Sequence, residues 1–287
     1  MRLFFMFAAA ILAPALADNA MAEGSDDRFW FRTEALWLKR DTPPGIHGID
    51  YLDGRTLSNA ALDFELEPGL RTTFGMAAGE NTGFEFTFFG LHDWNATTDI
   101  VSPDEWLAPT GIIDTLDWLG YEVGEYIDAY SYRVNYSSQL NSFELNCVRW
   151  GQSGWRFHGG ARFVSAEETF SLWTADSPGD VESHSKFKTR NYLFGPQVGG
   201  EYSETLFDAL TLGFRANVGA LLNMYERGLN IEDYEDIVPP DINLFTQNDE
   251  EVGFASLLEL GLFATLKVTD NISARGGYNF LMLNGVA

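Results

Sequence analysis

The sequence predicts an all-β fold, namely an antiparallel transmembrane β-barrel of the outer-membrane type. Three observations predict it. Segments that alternate between polar and apolar residues recur along the chain, the connections between them are long and short in turn, and the N-terminus has the features of an export signal. Alternation with a period of two is the pattern of a strand with one polar and one apolar face.

The N-terminal segment predicts export. Arg2 is followed by the apolar run LFFMFAAAILAPALA, and small-residue cleavage sites end at Ala17 and Ala22. A charged start, an apolar run and an A-x-A site are typical of a secretory signal peptide. Because the run is short and contains Pro14, an anchor helix is the less favoured alternative. We therefore predict a signal peptide at residues 1–22 and a barrel at residues 28–287.

Nine segments of the barrel region have the strand pattern. In LDFELEPGLRTTFGM, residues 62–76, one face carries Asp63, Glu65 and Arg71, whereas the other carries Phe64 and further apolar residues. The nine predicted strands are residues 29–38, 62–76, 82–91, 131–148, 155–165, 191–202, 210–222, 254–268 and 272–283. Most are long enough to cross a bilayer at a tilt, for which about 9–11 residues suffice.

The connections alternate in length. The long ones are residues 39–61, 93–129, 166–190 and 223–251, and the short ones are 77–81, 150–154, 203–209 and 269–271. Short periplasmic turns and long outer loops are typical of an outer-membrane barrel, in which the apolar faces meet lipid and the polar faces line the lumen. An exported soluble β-sandwich, with the aromatic residues in its core, is the alternative.

Two local irregularities are expected. In the predicted strand 131–148, Arg133 lies at an odd position whereas Glu144 lies at an even one, which predicts a bulge or bend near Ser138. Residues 104–119 in the second long loop have the composition of a short helix.

An odd number of strands predicts that a further strand completes the barrel. Single-chain bacterial barrels have an even number, and an unpaired strand edge in lipid is costly. We expect about ten strands in the complete chain, with a closing C-terminal strand after residue 287. A strand hidden in residues 43–60 or 110–128 is the alternative.

Several segments also carry a resemblance. They are FWFRTEALWLKRD, SSQLNSFELNCVRW followed by FHGGARFVSAEE, RNYLFGPQVGGEY and LLELGLFATLKVTDNISARGGYNFLMLNGVA. They resemble the β-barrel porin family typical of planctomycete outer membranes, over about residues 28–287. The resemblance implies a barrel of porin type in the cell outer membrane, with more chain and a last strand after the segment that matches GYNFLMLNGVA. It supplies no catalytic motif.

Composition excludes several other functions. The formal net charge of −24 disfavours binding to nucleic acid, which requires a basic surface. The single Cys147 has no partner for a disulfide, and the four His residues lack metal-ligand spacing. The sequence contains no GxSxG, GxxxxGK[ST] or HExxH motif. We therefore expect neither an enzyme nor a cofactor, and the partners expected are outer-membrane lipid, lipopolysaccharide and small solutes.

The polar faces supply the candidate functional residues. The predicted lumen-lining residues are Arg32, Glu34, Asp63, Glu65, Glu67, Arg71, Glu85, Glu144, Arg156, Arg162, Glu201, Arg215, Glu259 and Arg275. Opposed Arg and Glu residues could filter solutes in a narrow pore that allows passive diffusion. In the alternative they pair and plug a small lumen. The barrel would then be structural or adhesive and act through its surface loops.

Overall fold

A computed structural model describes most of the predicted barrel region. The described residues are 2–7, 15–16, 29–41, 49–51, 56–57, 62, 64–101, 107–109, 129–177, 180–207, 209–233, 242–269 and 272–287. They form fourteen strands: β1 (Arg2–Phe7), β2 (Ala15–Leu16), β3 (Phe29–Arg40), β4 (Ile49–Tyr51), β5 (Thr56–Leu57), β6 (Glu67–Ala77), β7 (Thr82–Val101), β8 (Leu107–Pro109), β9 (Ser131–Trp150), β10 (Trp155–Ser177), β11 (Asp180–Phe207), β12 (Leu210–Asp233), β13 (Ile242–Lys267) and β14 (Ile272–Asn284).

Nine of these strands form one antiparallel, nearly closed barrel, which confirms the predicted fold class at this level. The order is β3-β6-β7-β9-β10-β11-β12-β13-β14. Each of these nine strands therefore pairs with the next of the nine along the chain. The gap between β14 and β3 is called the seam here. The short β1 lies in the seam, where it pairs with Phe280–Asn284 of β14 and with Leu38–Arg40 of β3.

The first two predicted outer loops are joined to each other. Residues 49–51 of the first pair with residues 107–109 of the second, and residues 56–57 complete a small three-stranded sheet. These strands are not barrel strands, so the described part of 43–60 does not supply a tenth one. Of residues 104–119, for which we expected a helix, the structure describes only 107–109, which are extended; the rest, like 110–128, lies outside the described residues. No helix in the described part of the chain is long and apolar enough to cross a membrane.

The other long connections are mostly extensions of the barrel strands. β10 and β11 remain paired far into residues 166–190, as far as Ser177 and Asp180. β12 and β13 likewise continue to Asp233 and from Ile242. The barrel is therefore taller than the sequence pattern predicted, and its long hairpins all lie at one end, called the upper end here.

The prediction of a bulge or bend near Ser138 is wrong. β9 pairs with β10 in one unbroken register, with Arg133 facing outward and Glu144 facing inward. The irregularity lies instead in the neighbouring β7, where the register with β9 shifts between Phe89 and His92. Leu91 has a φ of 67° there, a conformation that is uncommon for a residue other than glycine.

The pattern changes along β9 because its two faces exchange polarity. In the lower half, Leu145 faces outward while Glu144 is buried; in the upper half, Arg133 faces outward while Val134 and Leu140 are buried. In the sequence, the exchange makes the polar residues change from odd to even positions. An inserted residue, as in a bulge, would produce the same change.

The same exchange occurs at one level on six adjacent strands of the barrel, from β7 to β13. One outward row of paired residues, called the aromatic row here, consists of Phe88, Phe143, Phe163, Phe194, Leu222 and Phe254. Higher on the same six strands, a second outward row of paired residues is polar. This polar row consists of Asp93, Gln139, Glu167, Arg190, Glu226 and Glu250. The shift in β7 keeps that strand in phase with both rows.

The segment before β6 does not follow the predicted strand pattern. The strand begins at Glu67, and Leu62 and Phe64 are buried in the interior although they lie on the face predicted to point outward. The ring of Phe64 packs edge-on against Tyr136, with the ring centroids 5.5 Å apart. This segment therefore contributes to filling the upper interior.

Candidate functional site

The candidate site is the barrel interior, which has a charged lower layer. Eleven of the predicted lumen residues lie in this layer, called the ionic belt here: Arg32, Glu34, Arg71, Glu85, Glu144, Arg156, Arg162, Glu201, Arg215, Glu259 and Arg275. They come from nine different strands, and nine of the eleven are buried. Alternation places them inward, and most of their chain neighbours face outward with apolar side chains.

Glu259 of β13 is the centre of the first cluster in the belt. Its carboxylate accepts hydrogen bonds from Arg71 of β6 and from Arg162 Nη1 of β10, the latter at 2.9 Å. Asn217 Nδ2 donates to the same carboxylate at 3.4 Å. Because β6, β10 and β13 do not pair with one another, these contacts cross the interior. Glu259 is only 1% exposed and Arg162 is 0% exposed, so the carboxylate and its partners exclude bulk water.

Arg275 of β14 joins a second cluster. Its Nε lies 3.3 Å from Glu34 Oε1, and its Nη2 lies 3.3 Å from Glu201 Oε2. Glu201 also lies 3.5 Å from Arg156, which pairs in turn with Glu85. The cluster thus links β3, β14, β11, β10 and β7.

Neutral polar side chains complete the belt. Gln197 donates to Glu144 Oε2 at 2.8 Å and to Asn146 Oδ1 at 2.9 Å. Arg215 donates to Asn279 Oδ1 at 3.2 Å. These amides lie on the inward face with the charges, and that shared face is the signal by which the sequence could have identified them. Buried charges are costly unless they are paired and hydrogen-bonded, so the belt depends on its geometry being maintained.

The upper layer of the interior is mainly apolar. Leu36, Leu140, Val164, Leu193 and further apolar side chains are buried there. Trp94 of β7 is 0% exposed, and its indole Nε1 donates to the Leu38 carbonyl oxygen at 3.0 Å. This layer lies directly above the belt.

One ion pair within the upper layer was missed from the sequence. Arg40 Nη2 lies 2.5 Å from Glu168 Oε1, and both side chains are buried. The hydroxyl of Tyr136 accepts from Arg40 at 3.1 Å and donates to Glu168 at 2.8 Å. The guanidinium also lies over the Phe64 ring, 5.1 Å from its centroid. Sequence reasoning missed the pair because both residues fall in ranges predicted to be outer loops.

Two predicted lumen residues lie outside the ionic belt, and a third is not described. Glu65 is exposed before the start of β6, and Glu67 is half-buried at its first position. Asp63 lies outside the described residues. Because the regular strand begins only at Glu67, alternation does not determine which way the side chains before it point.

No family model matches the chain, and no curated protein matches it. Among the residues that the structure describes, no group of three or more His, Cys, Asp or Glu side chains is arranged to hold a metal ion.

Proposed function

We propose that the chain is an outer-membrane β-barrel with a plugged lumen, which serves as a structural or adhesive anchor for the hairpins at its upper end. The observation that carries this proposal is the exchange of faces. Below the polar row the outward side chains are apolar and the inward ones charged, as in a barrel surrounded by lipid. Above that row the outward side chains are polar, and on β7, β9 and β10 the inward ones are mainly apolar, as in a water-soluble protein.

The height of the apolar band fits a membrane. Its lower limit is another outward row of paired residues, near the lower end of the barrel. This row consists of Trp155, Tyr202, Phe214, Leu262 and Tyr278. On β11 the band extends from Tyr192 to Tyr202, which is ten steps along the strand. At about 3.3 Å per residue and a strand tilt of about 40°, ten steps correspond to a height of about 25 Å. Outer-membrane barrels have an apolar band of about this height, flanked by aromatic residues.

The filled interior favours the plugged barrel over the open pore. A pore for passive diffusion needs water-exposed side chains along its lumen, whereas Glu34, Arg71, Glu144 and Arg275 are all buried in the belt. The apolar layer above them adds a second barrier. Diffusion through a porin-type lumen remains the alternative function, and the resemblance to the planctomycete porin family remains a prediction.

The predicted signal peptide supports the same location. Export across the inner membrane is required before a barrel can enter the outer membrane, and residues 1–22 have the features that direct it. In the proposed orientation the short turns face the periplasm and the long hairpins face the cell exterior.

The proposal is tested by refolding the chain into planar bilayers and measuring conductance. We expect a heat-modifiable, folded barrel that inserts and gives no stable conductance steps. Stable single-channel steps would contradict the plugged lumen and favour diffusion. Failure of the folded protein to insert into lipid at all would contradict the membrane location and favour a soluble exported barrel.

A further inference from the structure

Basic side chains occupy successive outward positions on β11, just above the apolar band. Lys186, Lys188 and Arg190, called the cationic patch here, follow one another on the outward face directly above Tyr192. The chain has only 18 Lys and Arg residues against 42 Asp and Glu residues, so three cations in succession differ from the rest of the surface.

The neighbours of the patch are suited to a phosphorylated ligand. On β10 the residues paired with Lys186 and Lys188 are Ser171 and Thr169, whose hydroxyl groups can donate hydrogen bonds. On β12 the residue paired with Lys188 is Gly228, which adds no side chain that would cover the ammonium group. Lys186 is exposed and has no ion pair with any residue that the structure describes.

Two carboxylates lie at the lower edge of the patch and form ion pairs with two of its three cations. Glu167 pairs with Lys188 and lies 3.1 Å from Arg190 Nε, while Glu226 lies 3.6 Å from Arg190 Nη1. Partial burial opposes ionisation of Glu167, but the hydrogen bonds and charges of its two basic partners outweigh it and lower the pKa of the carboxyl. Glu167 therefore competes with any external anion for Lys188 and Arg190, whereas Lys186 is exposed and has no carboxylate partner among the side chains that the structure describes.

We propose that the cationic patch binds the phosphate group of a phosphorylated glycolipid in the outer leaflet. Lys186 and Lys188 would provide the charge, and Ser171 and Thr169 would provide hydroxyl donors to the same phosphate. This inference rests on the proposed membrane position, because only that position brings the patch to the level of the lipid headgroups. The apolar surface below it, with Phe194 on the same face of β11, would lie against the acyl chains.

The test uses the full chain, refolded in detergent, with diphosphoryl lipid A as the probe and its dephosphorylated form for comparison. Bound lipid is counted by native mass spectrometry. We expect the wild type to retain the phosphorylated lipid at least several-fold better than the dephosphorylated one, and K186Q/K188Q to lose this preference. Because E167Q removes the competing carboxylate, it should bind the phosphorylated lipid more tightly.

Controls separate this inference from the membrane proposal. K267Q removes a cation from the opposite rim of the barrel and should bind lipid A as the wild type does. Equal retention of both lipids by the wild type, or an unchanged preference in K186Q/K188Q, would overturn the site. Each variant is also checked for heat-modifiable migration and insertion into vesicles. A barrel that inserts but has no preference contradicts the patch alone, whereas a chain that never inserts contradicts the membrane proposal as well.

Discussion

Arg162 and Glu259 are joined across the barrel interior, with Nη1 and Oε2 2.9 Å apart. The two residues belong to β10 and β13, which are not neighbours in the sheet. Glu259 accepts from Arg71 as well, so one buried carboxylate holds guanidinium groups from two other walls of the barrel. The pair therefore joins distant walls of the barrel across its interior, which a row of charges facing open water would not do.

Neutralising this carboxylate should destabilise the barrel strongly. In Glu259→Gln the carboxamide keeps the size of the side chain but leaves Arg71 and Arg162 without their central counter-charge. Removal of one partner from a buried ion pair costs about 3–5 kcal/mol. The measurement is the free energy of unfolding in urea, from the refolded protein in lipid vesicles. The control is Glu80→Gln in an exposed turn, which should change it by less than about 0.5 kcal/mol; equal effects of the two substitutions would contradict the role of the belt.

The exchange of faces predicts a position-dependent effect of an outward charge. Val198 lies within the apolar band and is 59% exposed, whereas Thr97 is an exposed outward residue on β7 above the polar row. An arginine that faces lipid near the middle of the bilayer lowers the stability of an outer-membrane barrel by about 2–4 kcal/mol. We therefore expect Val198→Arg to reduce the free energy of unfolding in vesicles by this amount and Thr97→Arg to leave it nearly unchanged. A small effect of both would indicate that the apolar band does not contact lipid.

The sequence predicted the barrel well because its lower half obeys one simple rule. There, polar residues at every second position face inward, and residues as far apart as Glu34 and Arg275, both on the polar faces of their strands, lie 3.3 Å apart. The upper half follows the opposite rule, and alternation does not reveal which of two opposite rules applies. For this reason the pattern of β9 was interpreted as a bulge, and Arg40 and Glu168 were missed.

The pairing across the barrel could not be predicted either. Spacing along one strand determines the face on which a residue lies, but the height at which it meets a residue of a distant strand depends on the registers of all the strands between them. The shift in β7 between Phe89 and His92 changes this height by local geometry that no residue pattern marks. Gln197 lies on the polar face of its strand, but its contact with Glu144 at 2.8 Å depends on the same strand registers.

Two tryptophans on opposite faces provide a matched test of the upper apolar layer. Trp94 is fully buried and donates to the Leu38 carbonyl, whereas Trp37 faces outward and is 38% exposed. Replacing a buried Trp by Ala typically costs about 3–5 kcal/mol through lost contacts and the cavity that remains. Trp94→Ala should therefore be destabilised by about this amount, and Trp37→Ala by much less, when unfolding is followed by circular dichroism. Similar losses from both would contradict an interior packed as a core at this level.

The first residue of the exported protein shows whether the predicted signal peptide is removed. It also shows whether β1 remains in the seam between β14 and β3. The structure places Arg2–Phe7 between β14 and β3, and Ala15–Leu16 pair with the lower end of β14. The same residues form the charged start, the apolar run and the end of the first cleavage region. We expect the protein isolated from outer membranes to begin at Asp18 or Glu23, so that β1 and β2 are removed. N-terminal sequencing together with the intact mass measures this directly. Retention of Arg2 would contradict the signal peptide, and it would make β1 a lasting strand of the barrel wall.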